Sequence, residues 1–118
     1  MKDLTILNQA SALARHAGRQ HAIVAENIAN ADTPGFKART LPAFDPKLAE
    51  DAQNGSLTAA RRLMEPTELR TGAAAPNGNT VSLDEQMALS VDAQGQHRAA
   101  MAVYRKTLEL LRLSVTSR

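Results

Sequence analysis

Apolar and polar positions divide the chain into three parts. From Leu7, steps of three and four land on Ala10, Ala14, Ala17, His21, Val24, Ile28 and Ala31, a seam at coiled-coil spacing flanked by Ile6 and Leu13. Asn8, Arg15, Arg19 and Glu26 fall on the opposite face, so the pattern predicts one amphipathic helix from Asp3 to about Asn30. From Leu83, steps of four and three give Met87, Ser90, Gln94, His97, Met101, Tyr104, Leu108, Leu111 and Val115, which predicts a second, longer helix to about Ser114. Its start is marked by Ser82 and Glu85, a capping box in which each side chain satisfies the other's backbone N–H. Asp84, Glu85 and Asp92 come early in it and Arg98, Arg105, Lys106 and Arg112 late, an order that suits the helix dipole.

Between the two patterns the chain has to turn. Asn30, Asp32, Pro34 and Gly35 each oppose a continuing helix: the first two through side chains that compete for backbone hydrogen bonds, proline by its missing N–H, glycine by its backbone freedom. Thr33-Pro34-Gly35-Phe36 reads as a tight turn. Lys37 to Leu41 alternates like one short strand, Ala43 to Ala52 suits a short helix stopped by Asn54-Gly55, and Arg61 to Met64 suits a helical turn before Pro66. Thr71 to Asn79 holds small and turn-forming residues with nothing to pack. The expected organisation is therefore mainly α: a terminal helix in residues 1–31, a loop or extended middle in 32–81, disordered in the isolated monomer, and a second terminal helix in 82–118.

Composition narrows the functions. At 118 residues there is room for one domain, and with aromatics at 3% of the chain its packing must rely on small residues. A net charge of +2, with acids and bases interspersed, argues against a nucleic-acid partner. The absence of cysteine removes disulfides, thiolate metal sites and thiol nucleophiles. No stretch reaches the roughly 20 apolar residues needed to span a bilayer. Asn8, Gln9, Arg15 and Arg19 interrupt any signal peptide, so export, if it occurs, is expected to read something else. His16 and His21 do not share a helix face and His97 is remote, so seam or surface roles suit them better than a metal site. Glu65 and Glu68 among Arg61, Arg62 and Arg70 read as a solvated charge cluster rather than an acid/base pair. Neither an enzyme nor a cofactor is expected, and Asn27 and Asn30 are by default caps or turn formers.

Two heptad helices of unequal length, separated by a middle with little to bury, cannot hide both seams within one small chain. At roughly 25 cal/mol per Å2 of buried apolar surface, an alanine-rich seam stabilises less per residue than a leucine seam. The surplus apolar surface is expected to meet other copies or other proteins, which makes assembly the function read from the pattern.

Asn27-Ile28-Ala29-Asn30-Ala31-Asp32-Thr33-Pro34-Gly35-Phe36, closing an N-terminal helix, resembles the motif of the bacterial flagellar axial proteins that build rod, hook and filament cap. Asn77 to Met87, with Asn79, Val81, Leu83, Glu85 and Met87, resembles the pattern that opens the C-terminal helix of that family's proximal rod member. The resemblance implies an antiparallel coiled coil of the two terminal helices in the inner tube of the rod. It implies contacts between subunits after Gly35, and homo- and hetero-oligomeric assembly. It further implies export, unfolded and uncleaved, through the flagellar type III apparatus to the periplasmic part of the basal body. The neighbours implied are the other proximal rod proteins, the rod adaptor FliE and the membrane-embedded MS ring, and the role is part of the drive shaft that transmits torque for motility.

Two other readings compete. Another proximal rod protein of the same family is disfavoured by the Val81 to Met87 pattern. A small dimeric coiled-coil adaptor or secretion chaperone would form a discrete, stable dimer with a protease-resistant middle.

Overall fold

The computed structural model describes residues 2–69 and 74–116. Helix α1 spans Lys2–Ala29 and helix α4 spans Leu83–Thr116, at opposite ends of the chain and packed on each other. They run antiparallel: Asn27 near the end of α1 meets Gln86 near the start of α4, and Ala17 and His21 share a groove with Ala93 and His97. At about 1.5 Å per residue the 34 residues of α4 make a rod about 50 Å long. The particle is correspondingly elongated, 67 × 27 × 17 Å.

The middle is more structured than the sequence pattern suggests. Strand β1, Arg39–Thr40, pairs antiparallel with strand β2, Thr67–Glu68, placing Arg39 opposite Glu68 and Thr40 opposite Thr67. Between them lie helix α2, Pro46–Gln53, and helix α3, Leu57–Met64. Both helices have side-chain caps, Asp45 accepting from the N–H of Lys47 at 2.9 Å and Ser56 from that of Ala59 at 3.1 Å. Asn54-Gly55 ends α2 as expected, with Gly55 at φ +100°. Ala12 of α1, Ala49 of α2 and Leu63 of α3 form a small core, completed by the half-buried Phe44, Leu48 and Met64. Thr71 to Ala73 of the expected turn-rich stretch, and Arg70 of the expected charge cluster, lie outside the described residues.

The layers run α4, α1, then α2 and α3, since both short helices touch α1 and neither touches α4. Helix α1 therefore has two working faces. Ala10, Ala17 and Val24 of the expected seam are buried, and Leu7, Ala14 and Ala31 are half-buried. His21 and Ile28 of that seam are exposed instead. A second buried row, Ala12, His16 and Ile23, faces the middle.

On α4 the seam turns by one residue. The buried positions are Gln86, Ala93, Ala100 and Thr107, seven apart, whereas the expected Met87 is 63% exposed and Gln94 is exposed. Ser90, Tyr104 and Leu111 remain half-buried, as do Met101 and Leu108 on the flank, while His97, Leu83 and Val115 face outward. A heptad count does not distinguish two adjacent rows about 100° apart on the helix; the small side chains of Ala93 and Ala100 admit the partner helix more closely than methionine would.

Candidate assembly site: a clasp joining the two motifs

The motif that ends α1 and the one that begins α4 fold into a single knot. Helix α1 stops because the Asn30 side chain turns back to donate to the Glu26 carbonyl at 2.9 Å, while its own Oδ1 accepts from the Thr33 hydroxyl at 3.0 Å. Thr33-Pro34-Gly35-Phe36 then makes the expected tight turn, closed by the Phe36 N–H on the Thr33 carbonyl at 3.2 Å, with Gly35 at φ +74°. The second motif docks on this turn. Asn79, 4% exposed, donates through Nδ2 to the carbonyls of Asn30 and Thr33, both at 2.8 Å, and accepts from the Val81 N–H at 2.8 Å. Gly35 N–H donates to the Asn77 carbonyl at 2.9 Å, Thr80 N–H to the Phe36 carbonyl at 3.0 Å, and Ala38 N–H to the Thr80 hydroxyl at 2.8 Å. Lys37 caps the knot through the Gly78 carbonyl at 2.8 Å. Gly78, at φ +84°, lies so close that a Cβ there would meet Gly35 Cα at 3.5 Å.

Asn27 is not a cap. It is 1% exposed, and its amide holds both backbone groups of Arg39: Nδ2 donates to the carbonyl at 2.8 Å, and Oδ1 accepts from the N–H at 3.1 Å. The same Nδ2 donates to Gln86 Oε1 at 2.9 Å, which ties β1, α1 and α4 at one point. Ser82 meets the N–H of Glu85 at 3.4 Å, a long version of the expected cap, and its carbonyl starts the helix ladder at Gln86, 2.9 Å.

Below the knot the extended chain is held along α1 by a row of polar side chains that sequence patterning missed. Gln20 donates to the Thr40 hydroxyl at 2.9 Å and accepts from Leu41 N–H at 2.9 Å; His16 Nε2 donates to the Pro42 carbonyl at 2.9 Å; Gln9 donates to the Pro46 carbonyl at 3.1 Å. Gln9, His16, Gln20 and Asn27 thus replace the strand that would otherwise pair the backbone of residues 39–46. Their spacing by helical turns is the signal that was present, hidden because a polar row reads as a solvated face. Burial lowers the His16 pKa from its ordinary 6.5, against the smaller opposing effect of the bond to Pro42, and Phe44 meets the ring edge-on at 5.5 Å. With Nε2–H committed to a carbonyl, neutral His16 presents an unprotonated Nδ1 that is buried without a partner.

Of the remaining motif residues, Ala29 and Pro34 are exposed, Phe36 and Val81 half-buried. His21, Gln94 and His97 share an open groove of about 290 Å3 between the helices, while Gln20 is drawn to β1. Among the described residues no group of three metal-ligating side chains comes together, and no helix is long and apolar enough to cross a membrane.

A long antiparallel helix pair, the end of one helix and the start of the other locked by a loop clasp and several large apolar side chains left outside, is the build of a structural subunit that meets further protein. Residues 6–37 match the model of the flagella basal body rod protein family. The chain is 38% identical to the flagellar basal body rod protein FlgB of Yersinia ruckeri and 36% identical to that of Yersinia enterocolitica, in each case over 66% of this chain and 69% of the relative. The chain belongs to the flagellar basal body rod protein family, and it is a structural subunit of that rod.

Proposed function

We propose that this subunit lies at the membrane-proximal start of the rod, in the periplasmic space, where it passes motor torque along the shaft and performs no catalysis. The support for the position is the likeness to proteins named FlgB. In this reading its neighbours are further proximal rod proteins, the adaptor FliE and the MS ring, and it travels there through the flagellar export apparatus with no cleaved signal peptide. The observation that carries the stacking role is the outside of α4: Met87, Val91, Leu110, Leu113 and Val115 are all more than half exposed although the helix is already packed on α1. Apolar side chains left outside a finished helix pair mark a surface meant for further protein. The clasp holds the two helices in register, while residues 46–64, which share a small core with Ala12 of α1, are the part that orders last on assembly.

The test is a map of basal bodies in which this chain is tagged, together with Leu108→Asp on the half-buried flank of α4. The expected result is density at the base of the shaft, with swimming abolished and secretion of the subunit intact in the variant. Density elsewhere in the shaft, or normal swimming of cells that lack the chain, overturns the reading.

A further inference from the structure

Two separate exposed surfaces of the molecule are complementary in charge and in apolar character. Where α3 leans on α1, Arg19, Leu57, Arg61 and Met64 line an open groove of about 580 Å3. Leu57 is 76% exposed beside it. Glu65 also lines the groove, but none of the ion pairs among the described residues involves Arg19 or Arg61, and Arg62 stands exposed next to them. The groove is therefore apolar and net positive. On α4, Leu83, Met87 and Val91 follow one another at four-residue spacing and are 54%, 63% and 68% exposed. Asp84 lies beside them, and the first basic side chain of α4 is Arg98, so this ridge is apolar and negative. Helix α3 touches α1 and not α4, so groove and ridge are separate surfaces of the molecule.

We infer that the ridge of one copy of this chain seats in the groove of the next, with Met87 against Leu57 and Met64, and Asp84 toward Arg19 and Arg61. The inference rests on the rod reading and names the copy-to-copy contact within it. A second copy is the occupant favoured because both complementary halves are present on every chain. Since the two halves are different surfaces, the contact is heterologous: each added copy leaves a groove at one end and a ridge at the other, so the series stays open instead of closing as a pair.

The chain has no cysteine, so engineered thiols can be read without background. The full chain carrying Leu57→Cys and Met87→Cys together is expressed as the sole copy in flagellated cells, and isolated basal bodies are oxidised. A ladder of disulfide-linked multimers extending past the dimer is expected, with none from either single variant. In parallel, Arg61→Asp is expected to lose swimming and the double variant Arg61→Asp, Asp84→Arg to regain it.

A dimer formed by Met87→Cys alone means an isologous contact and overturns the inference. No ladder from assembled basal bodies, or no rescue by the double variant, gives the groove to a different rod protein and also overturns it. The rod reading fails separately, if cells without the chain swim normally.

Discussion

Asn27 and Gln86, 59 residues apart in the chain, join side chain to side chain at 2.9 Å, and neither is more than 1% exposed. They connect the last turn of α1 to the first turn of α4 at the point where the middle segment begins. Gln86 Nε2 is buried without a hydrogen-bond partner, so the Asn27 bond is what satisfies the other half of that amide. A polar pair at one end thus adds to the register that the buried alanines of the seam define along the helices.

Asn27→Ala removes this bond and the two to the Arg39 backbone, and leaves the Gln86 amide buried with no partner. A loss of about 3 kcal/mol of folding stability is expected from the unsatisfied groups, read as a fall in the urea midpoint of the purified chain. Asn79→Ala, which frees the carbonyls of Asn30 and Thr33, is expected to cost about 2 kcal/mol. A change within error for both would mean that the clasp does not hold the helices together.

The glycines separate into two kinds. Gly35 and Gly78 have positive φ, so alanine at either is expected to destabilise by about 1–2 kcal/mol through backbone strain; the 3.5 Å approach between them is ordinary contact. Gly18 and Gly95 sit in α1 and α4, and a Cβ added at either would meet nothing within 4 Å. Alanine at these two is expected to raise the stability of the isolated chain by about 0.5–1 kcal/mol each. Thermal melts of the four variants check both signs, and loss of swimming in a stabilised Gly18→Ala chain would show that the neighbour in the rod needs that space.

His16 gives the fold an acid limit. Its ring titrates near 6.5 in the unfolded chain, and burial holds it lower in the folded one. Between those two values the unfolded chain binds the proton and the folded chain does not, so its contribution is complete above 6.5 and is lost progressively below. Denaturant midpoints taken between pH 7.5 and 5 should fall toward acid. His16→Gln, whose amide can still donate to the Pro42 carbonyl, should flatten that fall; an unchanged slope would assign it to other groups.

Hydrogen exchange tests the order of folding in the middle. Residues 46–64 bury little beyond Ala49, Ala59 and Leu63, so their amides should exchange in the dilute monomer well before those of residues 10–27. Protection there should rise in assembled rods. Full protection of the middle and of both long helices at low concentration would contradict the idea that assembly orders the chain.

The two helices and the break between them could be read from the chain because they depend on local terms: periodic apolar positions, a serine and glutamate cap, and Asn, Pro and Gly where the backbone must turn. The short helices α2 and α3 also left local traces in Asn54-Gly55 and Pro66. Tertiary structure decided which row of α4 faces inward, since Gln86 and Met87 are equally good by counting and the choice falls to the waiting amide of Asn27 and the close approach that Ala93 and Ala100 allow. It also decided that Gln9, His16, Gln20 and Asn27 turn inward, two of them half-buried and His16 and Asn27 fully, because a polar row on a helix looks solvated until an extended backbone supplies its carbonyls and N–H groups. Spacing along one segment cannot carry that information: the partner atoms come from residues 39–46 and 86, and only folding brings them within hydrogen-bond reach.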